Sequence, residues 1–180
     1  MANTGDYKDY MMLELCYFWL ARLVELGLAS LEKFVEICGG VAETFYAPEA
    51  AVMKLDFLAE KFRKEILRYR DISWLEDEYN KLARRGIHFV SRVHPEFPKR
   101  LTFIVNPPFG LFYIGRLPEE ELPVISIVGA RSASFYGQEM ARSMARELAA
   151  AGVLIVSGLA AGIDGFAHRG ALEAGGDTFG

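Results

Sequence analysis

The sequence predicts an α/β protein in which a small all-α domain, residues 1–85, precedes a doubly wound, mainly parallel sheet within residues 86–180. Two observations lead to this prediction. From residue 124 onward, short apolar runs alternate with glycine-rich loops and helix-like stretches, as in parallel sheets whose strands are covered on both faces. Before residue 86, apolar residues recur at three- and four-residue spacing between glycine stops, which is typical of amphipathic helices.

The first domain is expected to hold four or five helices. The periodicity predicts helices over residues 10–26, 41–46, 50–69 and 72–85. Ser30 is expected to cap one more helix, which stops at Gly39. The basic run at 61–64 lies between Glu60 and Glu65, and this pattern favours a solvated helix face over a DNA-binding patch.

The amino-acid composition restricts the functions that are possible for this chain. The chain has 180 residues, 52% of them hydrophobic, and a net charge of −4, so it is expected to be globular, and nucleic acid could bind only at a local site. Cys16 and Cys38 lack metal-ligand spacing and are expected to be reduced thiols. Three charges interrupt the apolar stretch 11–29, and no secretory signal is evident, so we expect a cytoplasmic protein with no membrane contact.

Two loops of small residues follow the predicted parallel strands. The apolar runs 124–128 and 153–157 are expected to be neighbouring strands, joined by a helix that starts near Ser134 and ends at Gly152. Ligands of such sheets bind outside the carboxyl ends of the strands, where both loops fall. The sequence therefore places a binding site at these loops.

The common nucleotide and hydrolase patterns are not found at these loops. Gly129 is followed by Ala130 and Arg131 rather than by the glycine pattern of dinucleotide-binding folds, and no P-loop lysine occurs from residue 124 to the end. Ser157 before Gly158 is not accompanied by a general base, which argues against a serine hydrolase. No cofactor and no metal are therefore expected.

The interpretation that remains for these two loops is that they bind an anion. Loop amides before two helix N-termini can hold phosphate together with the hydroxyls of Ser132, Ser134 and Ser157. Arg131 adds a fork for bidentate phosphate contact, and the glycines allow close approach of a ligand.

Each of these residues also has a structural alternative. Ser134 and Asp164 are suited to serve only as N-caps, and His168 to pack against a neighbouring loop. For Arg131 the alternative is a surface ion pair. The sequence leaves these alternatives open.

The two loops carry motifs that resemble the DNA-processing protein A (DprA/Smf) family. The first motif runs from Val128-Gly129-Ala130-Arg131 through Ser134 to Tyr136-Gly137. The second comprises Ser157-Gly158-Leu159-Ala160, Gly162-Ile163-Asp164, Ala167-His168, Ala171-Leu172 and Gly175-Gly176. Upstream, His94-Pro95-Glu96-Phe97-Pro98 and the pieces Pro107-Pro108 and Leu111-Phe112-Tyr113 are also similar to this family. The resemblance is strong from about residue 87 onward and loose before it.

The resemblance implies a SAM-like (helix–hairpin–helix-like) domain followed by a Rossmann-like domain, without catalytic activity. It implies binding of single-stranded DNA and its transfer to the RecA recombinase during natural transformation and recombination. The implied DNA pocket is formed by Gly129, Ala130, Arg131, Ser134, Ser157, Gly158 and Ala160. Support from loops and helix caps is expected from Ser132, Tyr136, Gly137, Gly162, Asp164 and His168. Phe135 and Tyr136 are able to stack on bases, although helix packing is the expected role of each.

By the same resemblance, the chain is expected to be truncated within an incomplete Rossmann-like domain, because residue 177 stands where a third parallel strand should begin. The surfaces for RecA and for a possible homodimer are then expected mostly in the missing part. The alternative hypothesis is a nucleotide- or phosphate-sugar-binding enzyme on a related Rossmann-like scaffold.

Overall fold

The computed structural model describes residues 4–180 and divides the chain into two compact units. The helical unit ends at Leu117, and the sheet unit covers Pro118–Gly180. This division falls after residue 117 rather than after residue 85, because the hairpin that follows the helices packs on them. The ring of Phe89 in the hairpin lies 5.3 Å from that of Phe18 in the first helix. Helices come first and a parallel sheet follows, which confirms the predicted α/β class.

Six α-helices are described in the helical unit. They are α1 (Thr4–Arg22), α2 (Leu28–Cys38), α3 (Val41–Tyr46), α4 (Glu49–Val52), α5 (Glu60–Arg68) and α6 (Ile72–Arg84). Gly39 ends α2 in the left-handed conformation, with φ of 89°, as the glycine stop predicted. Asp71 caps α6 by accepting a hydrogen bond from the Trp74 amide at 2.9 Å. Of these described helices, none is both long and apolar enough to cross a bilayer.

Three predicted helix boundaries are wrong. The first helix, predicted over residues 10–26, begins at Thr4 and ends at Arg22, and a separate 3-10 turn covers Val24–Leu26. Ser30 is not an N-cap, because α2 already begins at Leu28 after Gly27. The helix predicted over 50–69 is broken between α4 and α5, where the chain turns and buries Leu55 and Leu58. Arg63 stabilises the break, since its guanidinium donates to the carbonyl of Met53 at 2.6 Å. Arg63 is therefore not part of a freely solvated basic face.

Large side chains fill the core of the helical unit. Phe18, Trp19, Phe34 and Phe109 are fully buried, and Phe18 meets the ring of Phe112 at 5.7 Å in an edge-on arrangement. Burial of each such side chain contributes roughly 1.5–3 kcal/mol relative to exposure.

The hairpin of this unit is formed by two antiparallel strands, β1 (Ile87–Ser91) and β2 (Gly110–Ile114). The buried carboxylate of Glu14 on α1 accepts a hydrogen bond from the Ser91 amide at 3.0 Å and so ties the first helix to the hairpin.

Both cysteines lie in the helical unit as free thiols. Cys16 is fully buried and Cys38 is half-buried. Burial, assisted by the negative charge of Glu43, raises the pKa of Cys16 to about 11. The Cys16 thiol is therefore neutral at physiological pH and acts as a small apolar core group.

The sheet unit is a three-stranded parallel sheet with two crossover helices. Its elements are β3 (Val124–Ser126), α7 (Phe135–Ala150), β4 (Leu154–Val156), α8 (Ile163–Glu173) and β5 (Thr178–Phe179). The strands lie in the order β3-β4-β5, with Ile125 opposite Ile155 and Ile155 opposite Thr178. The third strand thus begins where the sequence predicted it, although β3 and β4 are shorter than the apolar runs that define them.

Small residues pack the two helices of this unit closely. The buried cluster consists of Ala145, Ala149, Ile155, Ala167 and Ala171. A Cβ added to Gly170 would lie 2.1 Å from the backbone oxygen of Arg142, so only glycine allows α8 to approach α7 this closely.

An ion pair also joins α7 to α8. The Arg142 guanidinium makes two hydrogen bonds to the Glu173 carboxylate, at 2.8 and 2.5 Å. This pairing lowers the pKa of Glu173 and raises that of Arg142. Because the pair is exposed, its contribution to stability is small.

Candidate nucleic-acid interface

The loops after β3 and β4 meet at the carboxyl end of the parallel sheet. We call residues 127–134 and 157–162 the two-loop edge. The amide of Ile163 donates to the carbonyl of Ala130 at 3.2 Å and joins the loops directly. Gly162 has φ of 85°, and a Cβ there would lie 2.2 Å from the Ala130 oxygen. Only glycine satisfies both conditions, which explains the glycine at this point of the second loop.

Asp164 holds the two loops together through its carboxylate. One oxygen accepts from the amide of Gly129 at 3.2 Å and the other from the amide of Gly158 at 3.1 Å. The side chain is buried and stands in the first turn of α8, where the helix dipole favours a negative charge. The N-cap of α8 is Gly162, so Asp164 acts as a clamp between loops rather than as a cap.

This clamp changes the site that the sequence suggested. The amides of Gly129 and Gly158 were expected to be available to an anion, whereas both already donate to Asp164. A ligand phosphate therefore has to use other donors of the two-loop edge. The two glycines contribute by giving the loops their shape and by keeping side chains away from the edge.

The three predicted serines differ in whether their hydroxyl groups can reach a ligand. Ser157 is buried, and its hydroxyl donates to the carbonyl of Ile127 at 2.6 Å, inside the sheet. Ser134 is the N-cap of α7, and its oxygen accepts from the amide of Gly137 at 3.2 Å. Ser134 is exposed, so its hydroxyl proton remains free to meet a ligand. Ser132 is exposed as well.

His168 has a structural role at the base of the site. Its Nδ1 lies 2.6 Å from the hydroxyl oxygen of Thr178, which itself lies 2.9 Å from the carbonyl of Ile155. Because the single hydroxyl proton of Thr178 goes to this carbonyl, Nδ1 of His168 is the protonated nitrogen and donates to Thr178. The contact ties α8 to β4 and β5, so His168 bonds a strand rather than the neighbouring loop that the structural alternative named.

Arg131 projects from the first loop into solvent. The side chain is exposed, and no carboxylate among the side chains that the structure describes forms an ion pair with it. The surface ion pair that was the alternative for this residue is therefore not formed. Ala130 beside it in the first loop is exposed, and Ala160 in the second loop is half-buried.

Two aromatic side chains stand next to this loop. Phe135 and Tyr136, in the first turn of α7, are 79% and 73% exposed. The expectation that they pack within the helix is wrong, because the buried stripe of α7 runs through Ala141, Ala145 and Ala149 and leaves both rings outside it. The spacing of these alanines in the sequence is the signal that could have shown this. Two further apolar side chains are exposed at the two-loop edge: Val128 in the first loop and Leu159, with φ of 53°, in the second.

These features define a class of protein. A parallel sheet with crossover helices and glycine-rich loops at the carboxyl ends of its strands is a Rossmann-like α/β module. The part of the chain that the structure describes contains no group of three or more His, Cys, Asp or Glu side chains that could hold a metal ion.

Comparison with known proteins identifies the family. The family described as DNA recombination-mediator protein A matches residues 88–180, and the chain belongs to this family. The resemblance to DprA/Smf proteins that the motifs indicated is thereby confirmed.

Individual relatives agree with this assignment. Protein Smf from Synechocystis sp. is 29% identical over 171 residues, which cover 89% of this chain and 42% of the relative. DNA processing protein DprA from Bacillus subtilis is 34% identical over 114 residues, covering 59% of this chain and 38% of the relative.

The X-ray structure of DNA processing protein A (DprA) from Streptococcus pneumoniae superposes with a TM-score of 0.67 at 26% identity. The match covers 91% of this chain and 56% of that structure. The chain spans about two fifths of the length of the curated relatives that it matches.

Proposed function

We propose that this chain binds single-stranded DNA at the two-loop edge and serves as part of a recombination mediator. The observation that carries the proposal is the unpaired, exposed Arg131 beside the exposed rings of Phe135 and Tyr136. Proteins that bind single strands combine cationic contacts to the backbone with aromatic rings on which bases stack. The names of the relatives, DNA processing protein and recombination mediator, describe the same kind of activity.

The side chains of the two-loop edge are suited to a small number of strong contacts with DNA. The Arg131 guanidinium is able to grip one phosphate with two hydrogen bonds, and the hydroxyls of Ser132 and Ser134 are able to donate to phosphate oxygens. Phe135 and Tyr136 offer faces for one or two bases. Because the net charge of the chain is −4, attraction to DNA has to come from these local groups rather than from the whole surface.

In this proposal, four small residues determine the shape of the loops: Gly129, Ala130, Gly158 and Ala160. Their small side chains let the DNA backbone approach the loops, while Asp164, Gly162 and Ser157 hold the loops in place. Gly137 supports the cap by donating to Ser134. The edge is proposed to bind and not to catalyse, because the hydroxyl of Ser157, the candidate nucleophile, is directed into the sheet at Ile127.

Further parts of the proposal concern the whole protein. We propose that it delivers single-stranded DNA to the RecA recombinase in the cytoplasm during DNA uptake and recombination. The contacts with RecA and with a second copy are proposed to lie mainly in the part of the relatives that this chain does not span. These assignments are supported by family membership alone.

The DNA-binding proposal is tested by fluorescence anisotropy with a labelled thymine oligonucleotide. Arg131→Ala is expected to weaken binding by about tenfold, since a hydrogen bond to a charged group contributes about 1.5–3 kcal/mol. The slope of log affinity against log salt should fall by about 0.7, the value for one lost phosphate contact on a single strand.

Arg146→Ala is the matched control, because it removes an exposed arginine of the same unit from the helix behind the loops. It should change affinity by less than about twofold, because a long-range charge effect is screened by salt. An equal loss of affinity in both variants, or unchanged affinity in Arg131→Ala, would contradict the proposed interface. Thermal stabilisation by a mononucleotide or sugar phosphate but not by the oligonucleotide would favour the enzyme alternative.

A further inference from the structure

A separate cavity of about 270 Å³ lies in the helical unit. It is formed by α1, the turn after it, and the junction of α5 and α6. The side chains that line it are those of Trp19, Arg22, Leu23, Glu65, Tyr69 and Trp74. The junction is held in place because the Arg70 guanidinium donates to the carbonyls of Phe45 and Ala47, at 3.0 and 2.5 Å. The cavity is therefore formed before any ligand arrives.

Aromatic rings at this cavity have arginines beside them: Arg22 in its lining and Arg68 just outside it. The rings of Tyr69 and Trp74 are half-buried and lie 5.3 Å apart at an angle of 36°. The Arg22 guanidinium stands 5.2 Å from the centre of the Trp74 ring, and that of Arg68 stands 5.5 Å from the Tyr69 ring. Rings with partly exposed faces and adjacent arginines form the surface on which an unpaired base stacks.

The charged side chains that line the cavity restrict which ligands it can bind. Arg22 supplies hydrogen-bond donors and Glu65 supplies acceptors to the same cavity. A phosphate would face the Glu65 carboxylate, and a cationic side chain would face Arg22, whose guanidinium also lies 3.5 Å from the Glu78 carboxylate. An aliphatic side chain would leave the Glu65 carboxylate without a hydrogen-bond partner in the cavity. A planar ring with donors on one edge and acceptors on another satisfies both groups.

The size of the cavity agrees with this choice. Its volume lies just below the range of roughly 300–1,000 Å³ that holds drug-sized ligands, so it admits one ring system rather than a longer segment. Guanine matches the polar lining best, because arginine binds its O6 and N7 edge and a carboxylate accepts from its N1 and N2 donors.

We propose that this cavity binds a guanine base of single-stranded nucleic acid, with Trp74 and Tyr69 as the stacking surface. The site shares the class of ligand with the two-loop edge but shares no residue with it. The two proposals are separable for this reason, since a thymine oligonucleotide reports on the two-loop edge and a guanine-containing one reports on the cavity.

The chain offers an intrinsic probe of the cavity, because Trp19 and Trp74 are its two tryptophans. The experiment is a titration of the whole chain with two thymine oligonucleotides of equal length, one of which carries a central guanine. The guanine oligonucleotide is expected to quench tryptophan fluorescence to saturation and to bind at least about fivefold more tightly than the thymine one. Arg131→Ala should leave this quenching amplitude unchanged.

Three variants separate stacking, base recognition and folding. Trp74→Ala should weaken binding of the guanine oligonucleotide by about tenfold, within the range measured for loss of one stacked base. Trp74→Phe should retain affinity and lose the part of the fluorescence change that comes from Trp74, leaving that of Trp19. Glu65→Gln should abolish the preference for guanine and leave binding of the thymine oligonucleotide unchanged. Circular dichroism melting of each variant verifies that the fold is intact.

Quenching that is equal for both oligonucleotides, or unchanged affinity in a folded Trp74→Ala variant, would overturn the proposal. Saturable binding of an aromatic peptide that excludes the guanine oligonucleotide from the cavity would also overturn it, in favour of a protein partner.

Discussion

The two units of the molecule use their large side chains in opposite ways. In the helical unit, Phe18, Trp19 and Phe34 are fully buried and make the core. In the sheet unit, the core is built from alanines and Ile155, and every aromatic side chain is at least partly exposed. The difference shows that one unit is stabilised by the burial of apolar volume, whereas the other relies on close backbone approach.

This contrast has a functional consequence at the two-loop edge. Because glycine and alanine pack α7 against α8 and loop against loop, the sheet unit fixes its backbone without its aromatic residues. Phe135 and Tyr136 are then free to face solvent beside Arg131. In the helical unit, two of the rings that remain partly exposed, Tyr69 and Trp74, line one cavity.

The largest expected change in stability comes from removing one ring from the aromatic core of the helical unit. Phe18→Ala removes a ring that packs against Tyr79 and Phe89, both at 5.3 Å, and should lower the free energy of unfolding by about 3–5 kcal/mol. Phe103→Ala, the control, alters a side chain that is 86% exposed and should change stability by less than about 0.5 kcal/mol. Urea denaturation of both variants measures the difference; similar losses would show that burial does not distinguish these rings.

A smaller effect is expected from adding a methyl group to the close-packed helix pair of the sheet unit. Gly170→Ala forces a Cβ against the Arg142 backbone and should cost about 1–3 kcal/mol, despite the better helix propensity of alanine. In Gly165→Ala, on the same helix, the nearest atom lies 3.4 Å away, so stability should stay the same or rise. If thermal unfolding ranks the two variants in the reverse order, close backbone approach does not explain the stability of this unit.

The smallest of these effects concerns the Asp164 clamp. Asp164→Asn replaces one acceptor by a donor, so one of the two loop amides, Gly129 or Gly158, loses its hydrogen bond, at a cost of about 1 kcal/mol. Hydrogen exchange of these amides, followed by NMR, should become faster, while exchange in the middle of α7 stays slow. Glu139→Gln, which alters an exposed carboxylate of α7, serves as the control. Unchanged exchange at both glycines would contradict the clamp.

Local signals were sufficient to predict much of the fold. The Ser134 cap of α7, the glycine that ends α2 and the strand at Ile87–Ser91 are encoded by a few neighbouring residues, and the structure confirms each of them. The break between α4 and α5 was missed because it depends on the contact of Arg63 with Met53 and on burial of side chains in the turn. No periodicity of the segment itself reveals that contact.

The candidate site was predictable to a similar degree. The motifs correctly brought the two loops to one edge of the sheet and identified the family. They did not show which atoms remain free, because the Gly129 amide is bonded by Asp164, 35 residues along the chain. The same limit explains why Ser157 was expected to face a ligand although its hydroxyl bonds to Ile127 across the sheet.

The central claim, that the two-loop edge binds single-stranded DNA, is tested most directly by NMR of the isotope-labelled chain titrated with a thymine oligonucleotide. The largest amide shifts are predicted in residues 130–136, with smaller ones in residues 158–162, and the last turn of α7 should not respond. In Arg131→Ala the same shifts should require about tenfold more oligonucleotide. Saturable shifts confined to other surfaces, with the two-loop edge unaffected, would contradict the account.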